Sequence, residues 1–261
     1  MSTMHVGHIA VEVDGEGDPI LCLHGLGGSS NTWTPVMSAF GGHRVIRPDL
    51  PGSARSGLPD AALSIARYVD SMVDLLAALG AARVHVVAHS MGTIVAQHLA
   101  VEHPGLVRSL ALFGPLLAPP DQGRAGIQAR ARLARERGIA GMQEIADAIV
   151  TGATSAKTKE RHTAVLALVR ESVMRQTPEG YAQSCEALAK AQPADLEKIT
   201  APALLVTGDE DGVGTPAQAR SMAARLATAS VHVLEDCGHW TPCEQAGQCA
   251  GLLTKFHASL A

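Results

Sequence analysis

The chain has 261 residues, 46% of them hydrophobic and 18% charged, with a formal net charge of −4. That size and balance suit one large globular domain, or a core with an insertion, that needs no disulfide stapling. No run of like charge stands out, which argues against a nucleic-acid or anionic-membrane surface and leaves a small molecule as the expected partner of a monomer or homodimer.

The N-terminus, "MSTMHVGHIAVEVDGEG", alternates apolar and polar residues and has no charged head followed by an apolar run, so neither a signal peptide nor a membrane span is expected. Five cysteines, Cys22, Cys185, Cys237, Cys243 and Cys249, are odd in number and form no C-x-x-C pair, a usage that fits a reducing, cytoplasmic compartment. Cys237, His239 and Cys243 match no common zinc spacing, so no metal site is expected.

In chain order, "MHVGHIAVEV" with the "DGEGDP" turn reads as an antiparallel edge hairpin leading into the first buried strand, "PILCLH". The apolar runs "HRVIRPD", "RVHVVAH", "VRSLALFG", "APALLVTGD" and "ASVHVLED" read as further buried strands. Between them Ile65, Val69, Met72, Leu76 and Leu79 recur at helical spacing, as do Val95 and Leu99, so strand and helix alternate and a mainly parallel sheet follows. From about Pro115 to Thr200 the alternation stops, and "GRAGIQARARLARERG", "MQEIADAIV", "KTKERHTAVLALVRESVMRQ" and "PEGYAQSCEALAKA" all have a helical character. The expected division is a core of residues 1–116 and 198–261 with a helical cap at 117–197. Arg130, Arg132, Arg135 and Arg137 follow partly helical spacings that mark a solvated face.

The chemistry centres on "VVAHSMGTIVAQHLA" (86–100), where Ser90 sits between a strand and a helix, flanked by Ala88 and Gly92. Small residues two positions either side let a sharp strand-to-helix turn close, and the turn presents the serine hydroxyl. Such a hydroxyl needs a neutral imidazole to take its proton and a carboxylate to orient that imidazole. Asp211, three residues beyond Gly208, and His239, in "CGHW", follow later strands in the order Ser, Asp, His. Asp209, Glu210 and Asp236 compete with Asp211 as acidic turn residues. "LHGLGGSS" (23–30) lets the Leu26 N–H face the serine, with the Met91 N–H as the second donor for an oxyanion. Trp33 and Trp240 flank these loops as candidate substrate contacts, whereas His24 and His89 read as structural.

Together H-G-x-G (24–27), the Ser90 turn, G-x-x-D (208–211) and G-H-x-x-x-x-E (238–244) resemble the α/β-hydrolase superfamily over essentially the whole chain. The resemblance implies an eight-stranded, mostly parallel sheet flanked by helices, an all-helical cap, and a site at the strands' carboxyl ends. "TPEGYAQSCEALAKAQPADLEKITAPALLVTGDED" is similar to the cap-to-core stretch of 3-oxoadipate enol-lactonases, which implies hydrolysis of a small ester or lactone without a cofactor. The chain departs from that pattern at Ala88, where a glycine is usual, at "DLPGSARS" in place of an Arg-Gly-His-Gly turn, and in having Tyr181 as the cap's single aromatic residue. An amidase or carbon–carbon hydrolase using the same residues, and a slow-turnover ligand receptor of the same fold, are the alternatives.

Overall fold

The strand-like runs of the sequence assemble into one eight-stranded sheet in the computed structural model, which describes residues 2–260. The strands are β1 (Ser2–Val6), β2 (Ile9–Asp14), β3 (Asp18–Leu23), β4 (His43–Pro48), β5 (Val84–His89), β6 (Val107–Phe113), β7 (Ala203–Gly208) and β8 (Ala229–Leu234). Their spatial order is β1-β2-β4-β3-β5-β6-β7-β8. β1 and β2 form the antiparallel edge hairpin, closed at Gly7 with φ +57°. β2 then runs antiparallel to β4, and β3 through β8 are all parallel. The glycine-rich turn after β2 therefore does not pair β2 with β3. It crosses over the start of β4, so closely that a Cβ on Gly15 or Gly17 would lie 2.3 Å from the His43 carbonyl oxygen or 2.2 Å from that of Gly42.

Alternate side chains of each central strand enter opposite cores, which is why these runs are continuously apolar. In β5, Val86 and Ala88 join the larger core with α1 (Ile65–Ala78) and α2 (Met91–Glu102). Val87 faces the other way, against Trp33, Phe113 and Leu253. α1 forms where the periodicity places it: Ser64 accepts the Arg67 N–H as its cap, and Ile65, Tyr68, Val69, Met72, Leu75 and Leu76 are buried.

Four helices separate β6 from β7: α3 (Asp121–Ala153), α4 (Ala156–Arg161), α5 (Thr163–Met174) and α6 (Pro178–Ala189). α3 breaks at Gly138, whose φ of 56° and ψ of −130° are not helical. A stretch read as one helix, "KTKERHTAVLALVRESVMRQ", is broken between α4 and α5 at His162. The chain ends with α7 (Pro216–Ala223), the single turn α8 (Thr241–Glu244) and α9 (Ala246–Ala258). Among the described residues, no helix is long and apolar enough to cross a membrane.

Candidate active site

Ser90 occupies the bend between β5 and α2 with φ 53° and ψ −123°, a backbone region that costs a non-glycine residue free energy and persists only where packing enforces it. The enforcement is visible. The Ser90 N–H donates to the Phe113 carbonyl at 3.0 Å, and the Thr93 N–H donates to the Ser90 carbonyl at 2.8 Å. Close approach does the rest: a Cβ on Gly92 would lie 2.6 Å from the His24 carbonyl oxygen, and one on Gly25 would lie 2.6 Å from the Ser90 Cβ.

Three segments distant in sequence meet at this bend. His239 Nε2 lies 2.8 Å from Ser90 Oγ, and His239 Nδ1 lies 3.0 and 2.9 Å from the two Asp211 carboxylate oxygens. With Nδ1–H donating to the carboxylate, the Nε2 lone pair faces the serine hydroxyl. Asp211 accepts two further bonds at Oδ1, from the Val213 and Gly214 N–H groups at 2.8 Å each, and one at Oδ2 from Thr207 Oγ1 at 3.2 Å. Burial would push its carboxyl pKa up, but the His239 charge and ring N–H, with the Val213 and Gly214 N–H groups, outweigh it and hold the group below the ordinary carboxylate range. All three side chains are buried.

The competing acids have other work. Asp209 accepts the Cys237 N–H at 3.1 Å, Glu210 accepts the Ala156 N–H at 2.9 Å, and Asp236, at φ 54°, turns the chain and pairs with Lys157 at 2.8 Å. His24 and His89 are structural, as the sequence suggested. His24 donates through Nδ1 to the Gly25 carbonyl and accepts the Leu50 N–H at Nε2, both at 2.8 Å. His89 Nε2 donates to the His239 carbonyl at 2.9 Å, and burial lowers its pKa to about 3, so it stays neutral.

A cavity of about 590 Å³ opens above the serine, lined by Leu26, Ser90, His239 and Trp240 on the core side and by residues of α3, including Ile127 and Arg130, on the other. Met91 is the first residue of α2, so its N–H lies at the helix N-terminus beside the serine. Trp240 thus reaches the cavity, but Trp33 does not. It lies in the 3₁₀ segment Ser30–Phe40, fully buried beneath the sheet in edge-to-face contact with Phe113 at 5.9 Å, because that face is the one its segment must cover. Arg130 corrects the solvated-face reading of the cap arginines. Arg135 and Arg137 pair at the surface with Glu179, Glu186 and Glu144, while Arg130 turns to the cavity.

Sequence reasoning missed two supports of the histidine loop. The buried Glu244 carboxylate accepts the N–H groups of Ser155 (2.8 Å), Gly238 (3.2 Å) and Trp240 (3.1 Å), tying the His239 loop to the junction between α3 and α4. Gly114, at φ 53°, leaves room for the imidazole, since a Cβ there would lie 2.9 Å from the His239 ring. The G-H-x-x-x-x-E spacing held the first signal. The second has none in one sequence, because the glycine's reason is a neighbour 125 positions away.

The fold, the strained serine bend and the Ser–His–Asp contacts define an α/β hydrolase, and residues 18–246 match the model of the alpha/beta hydrolase fold family, to which this chain belongs. A 2-hydroxymuconate semialdehyde hydrolase from Pseudomonas putida is 30% identical over 254 residues, 94% of this chain and 88% of that protein. The enol-lactonase from Burkholderia xenovorans LB400 superposes with a TM-score of 0.89 at 27% identity, covering 98% of this chain and all of the other. A thermophilic esterase from Thermogutta terrifontis shares the fold, with a TM-score of 0.90 at 24% identity over 97% of this chain and 93% of its own.

Proposed function

We propose that this hydrolase cleaves a small ester or lactone through an acyl-enzyme on Ser90. His239 Nε2 takes the hydroxyl proton as Oγ attacks the carbonyl carbon, and returns it to the leaving alkoxide as the carbon–oxygen bond breaks. Asp211 keeps the imidazole in the required tautomer and stabilises its charged form, and the Leu26 and Met91 N–H groups receive the oxyanion. Water, activated by the same imidazole, then frees the acid and restores the serine. The observation carrying this reading is the continuous Asp211–His239–Ser90 hydrogen-bond line beneath an accessible cavity. Likeness to the enol-lactonase supports the ester or lactone class.

The test is hydrolysis of 4-nitrophenyl butyrate and a panel of lactones by wild type and Ser90→Ala. The variant is expected to lose about four to six orders of magnitude in kcat, and undiminished turnover would refute the assignment. A second reading, carbon–carbon bond hydrolysis, is favoured by likeness to the 2-hydroxymuconate semialdehyde hydrolase. A ring-fission substrate turned over with a higher kcat/KM than any ester or lactone of the panel would select it.

A further inference from the structure

We propose that Arg130 forms a carboxylate subsite in the cavity above Ser90, so that the substrate is an ester or lactone bearing a second, ionised acid group. The proposal rests on the hydrolase reading above and names its substrate class. Of the residues lining the cavity, Arg130 is the sole lysine, arginine, aspartate or glutamate. Around it the α3 side is apolar, with Ile127 and Ile149, and Leu188 of α6 adds to that wall.

The other arginines of the insertion show what is unusual here. Arg124 pairs with Asp121 and donates to the Ala189 and Ala191 carbonyls, Arg135 holds both Glu179 and Glu186, and Arg137, Arg170 and Arg175 pair with Glu144, Asp147 and Glu171. Arg132 is exposed. Arg130, half-buried, makes neither hydrogen bond nor ion pair with any described residue.

The two glutamates α6 offers, Glu179 and Glu186, are already gripped by Arg135, so Arg130 is left without an acid from within the fold. Its charge reaches the buried interior of α6: burial pushes the Tyr181 phenol and the Cys185 thiol up, and Arg130 opposes both shifts. A guanidinium is always ionised and costly to hold on an apolar wall without a counter-charge, and its planar fork matches a carboxylate through two parallel bonds. A substrate carboxylate supplies that counter-charge and aligns the acyl group over Ser90.

The experiment compares 4-nitrophenyl hexanoate with 4-nitrophenyl hemiadipate, which differ only by a terminal methyl against a carboxylate. In wild type, Arg130→Met and Arg130→Lys, the reading is the ratio of kcat/KM for the anionic ester to that for the neutral one. The ratio is expected to fall by about 10- to 100-fold in Arg130→Met, mostly through KM, and to recover in part in Arg130→Lys. An unchanged ratio, including equal loss on both esters, overturns the subsite.

Calorimetric binding of monomethyl adipate to Ser90→Ala and to Ser90→Ala/Arg130→Met separates the two readings. If wild type hydrolyses neither ester, the ester or lactone reading fails alone. A dissociation constant at least about tenfold weaker in the double variant still supports the subsite, and equal binding defeats it.

Discussion

Two groups of histidines sit at opposite ends of the same sheet, and they differ in their partners. At the carboxyl ends, His239 has a carboxylate on one nitrogen and a serine hydroxyl on the other. At the amino ends, His43, His85 and His257 cluster with ring centroids 5.2 to 6.1 Å apart, and neither ring nitrogen of His257 has a hydrogen-bond partner among the described residues. His85 Nδ1 lies 2.8 Å from the Ser109 hydroxyl, with no carboxylate on it among the described residues. Burial, aided by its neighbours His85 and His43, lowers the pKa of His257 to about 4. An imidazole becomes a base toward a substrate when a buried acid stabilises its charged form, and burial without an acid leaves it a neutral filler.

The strongest way to break this contrast is to remove the acid. Asp211→Asn, by allowing the wrong tautomer, is expected to reduce kcat on 4-nitrophenyl butyrate by about 10⁴ while far-UV circular dichroism stays native. A loss below about tenfold would show that His239 does not need its carboxylate.

Acid titration of stability sharpens the contrast next. His89 and His257, with folded pKa values of about 3 and 4, remain neutral in the native state, while in the unfolded chain they take up protons below about pH 6.5. The unfolded state therefore binds more protons, and stability is lost as pH falls from about 6.5 toward 4, by about 1.4 kcal/mol per pH unit for each histidine. His24 and His85, also lowered by burial, act in the same direction. Asp211 acts in the same direction, in a lower pH window. Its depressed pKa supports the fold above the unfolded carboxyl value of about 3.9 and is lost only below it. Urea midpoints measured from pH 7 to pH 4 check this, and a flat profile would contradict it.

A smaller effect comes from Gly114→Ala, whose Cβ crowds the His239 ring and whose φ of 53° disfavours a side chain. The expected cost is about 1–3 kcal/mol of stability together with reduced kcat, read by thermal melting and turnover. The smallest effect belongs to the other end of the sheet. His257→Leu removes two unpartnered nitrogens, so it should change stability at pH 7 by no more than about 1 kcal/mol, flatten the acid titration by one proton, and leave turnover intact. A large loss of activity would mean that the two ends are coupled.

Much of this was legible in the chain because the signals are local. The strands from "PILCLH" onward are bounded by turns and read as apolar runs, and the structure moves their ends by no more than two residues. Ser90 was visible because a serine with small residues at 88 and 92 between a strand and a helix is a local pattern, although what demands the glycine at 92 is the close approach of the His24 carbonyl. Asp211 was preferred to its acidic neighbours by its offset from Gly208. Trp33 was misplaced because a loop tryptophan beside an oxyanion segment looks the same whether it faces the cavity or the sheet, and only packing against Phe113 settles it. Arg130 was misread because helical spacing reports a face of α3 and not what that face meets.

By itself the sequence determined the order of strands and helices, the bend that presents Ser90, and the types of residue available to serve it, since periodicity, turn chemistry and small-residue spacing act over a few neighbours. Only the tertiary structure decided that residues 90, 211 and 239 meet within hydrogen-bond distance, that Glu244 anchors the histidine loop, and that one arginine of α3 faces the cavity without an acid of its own. Those are distances between segments far apart in the chain, set by how the sheet twists and what packs over its edge, and no local pattern encodes them.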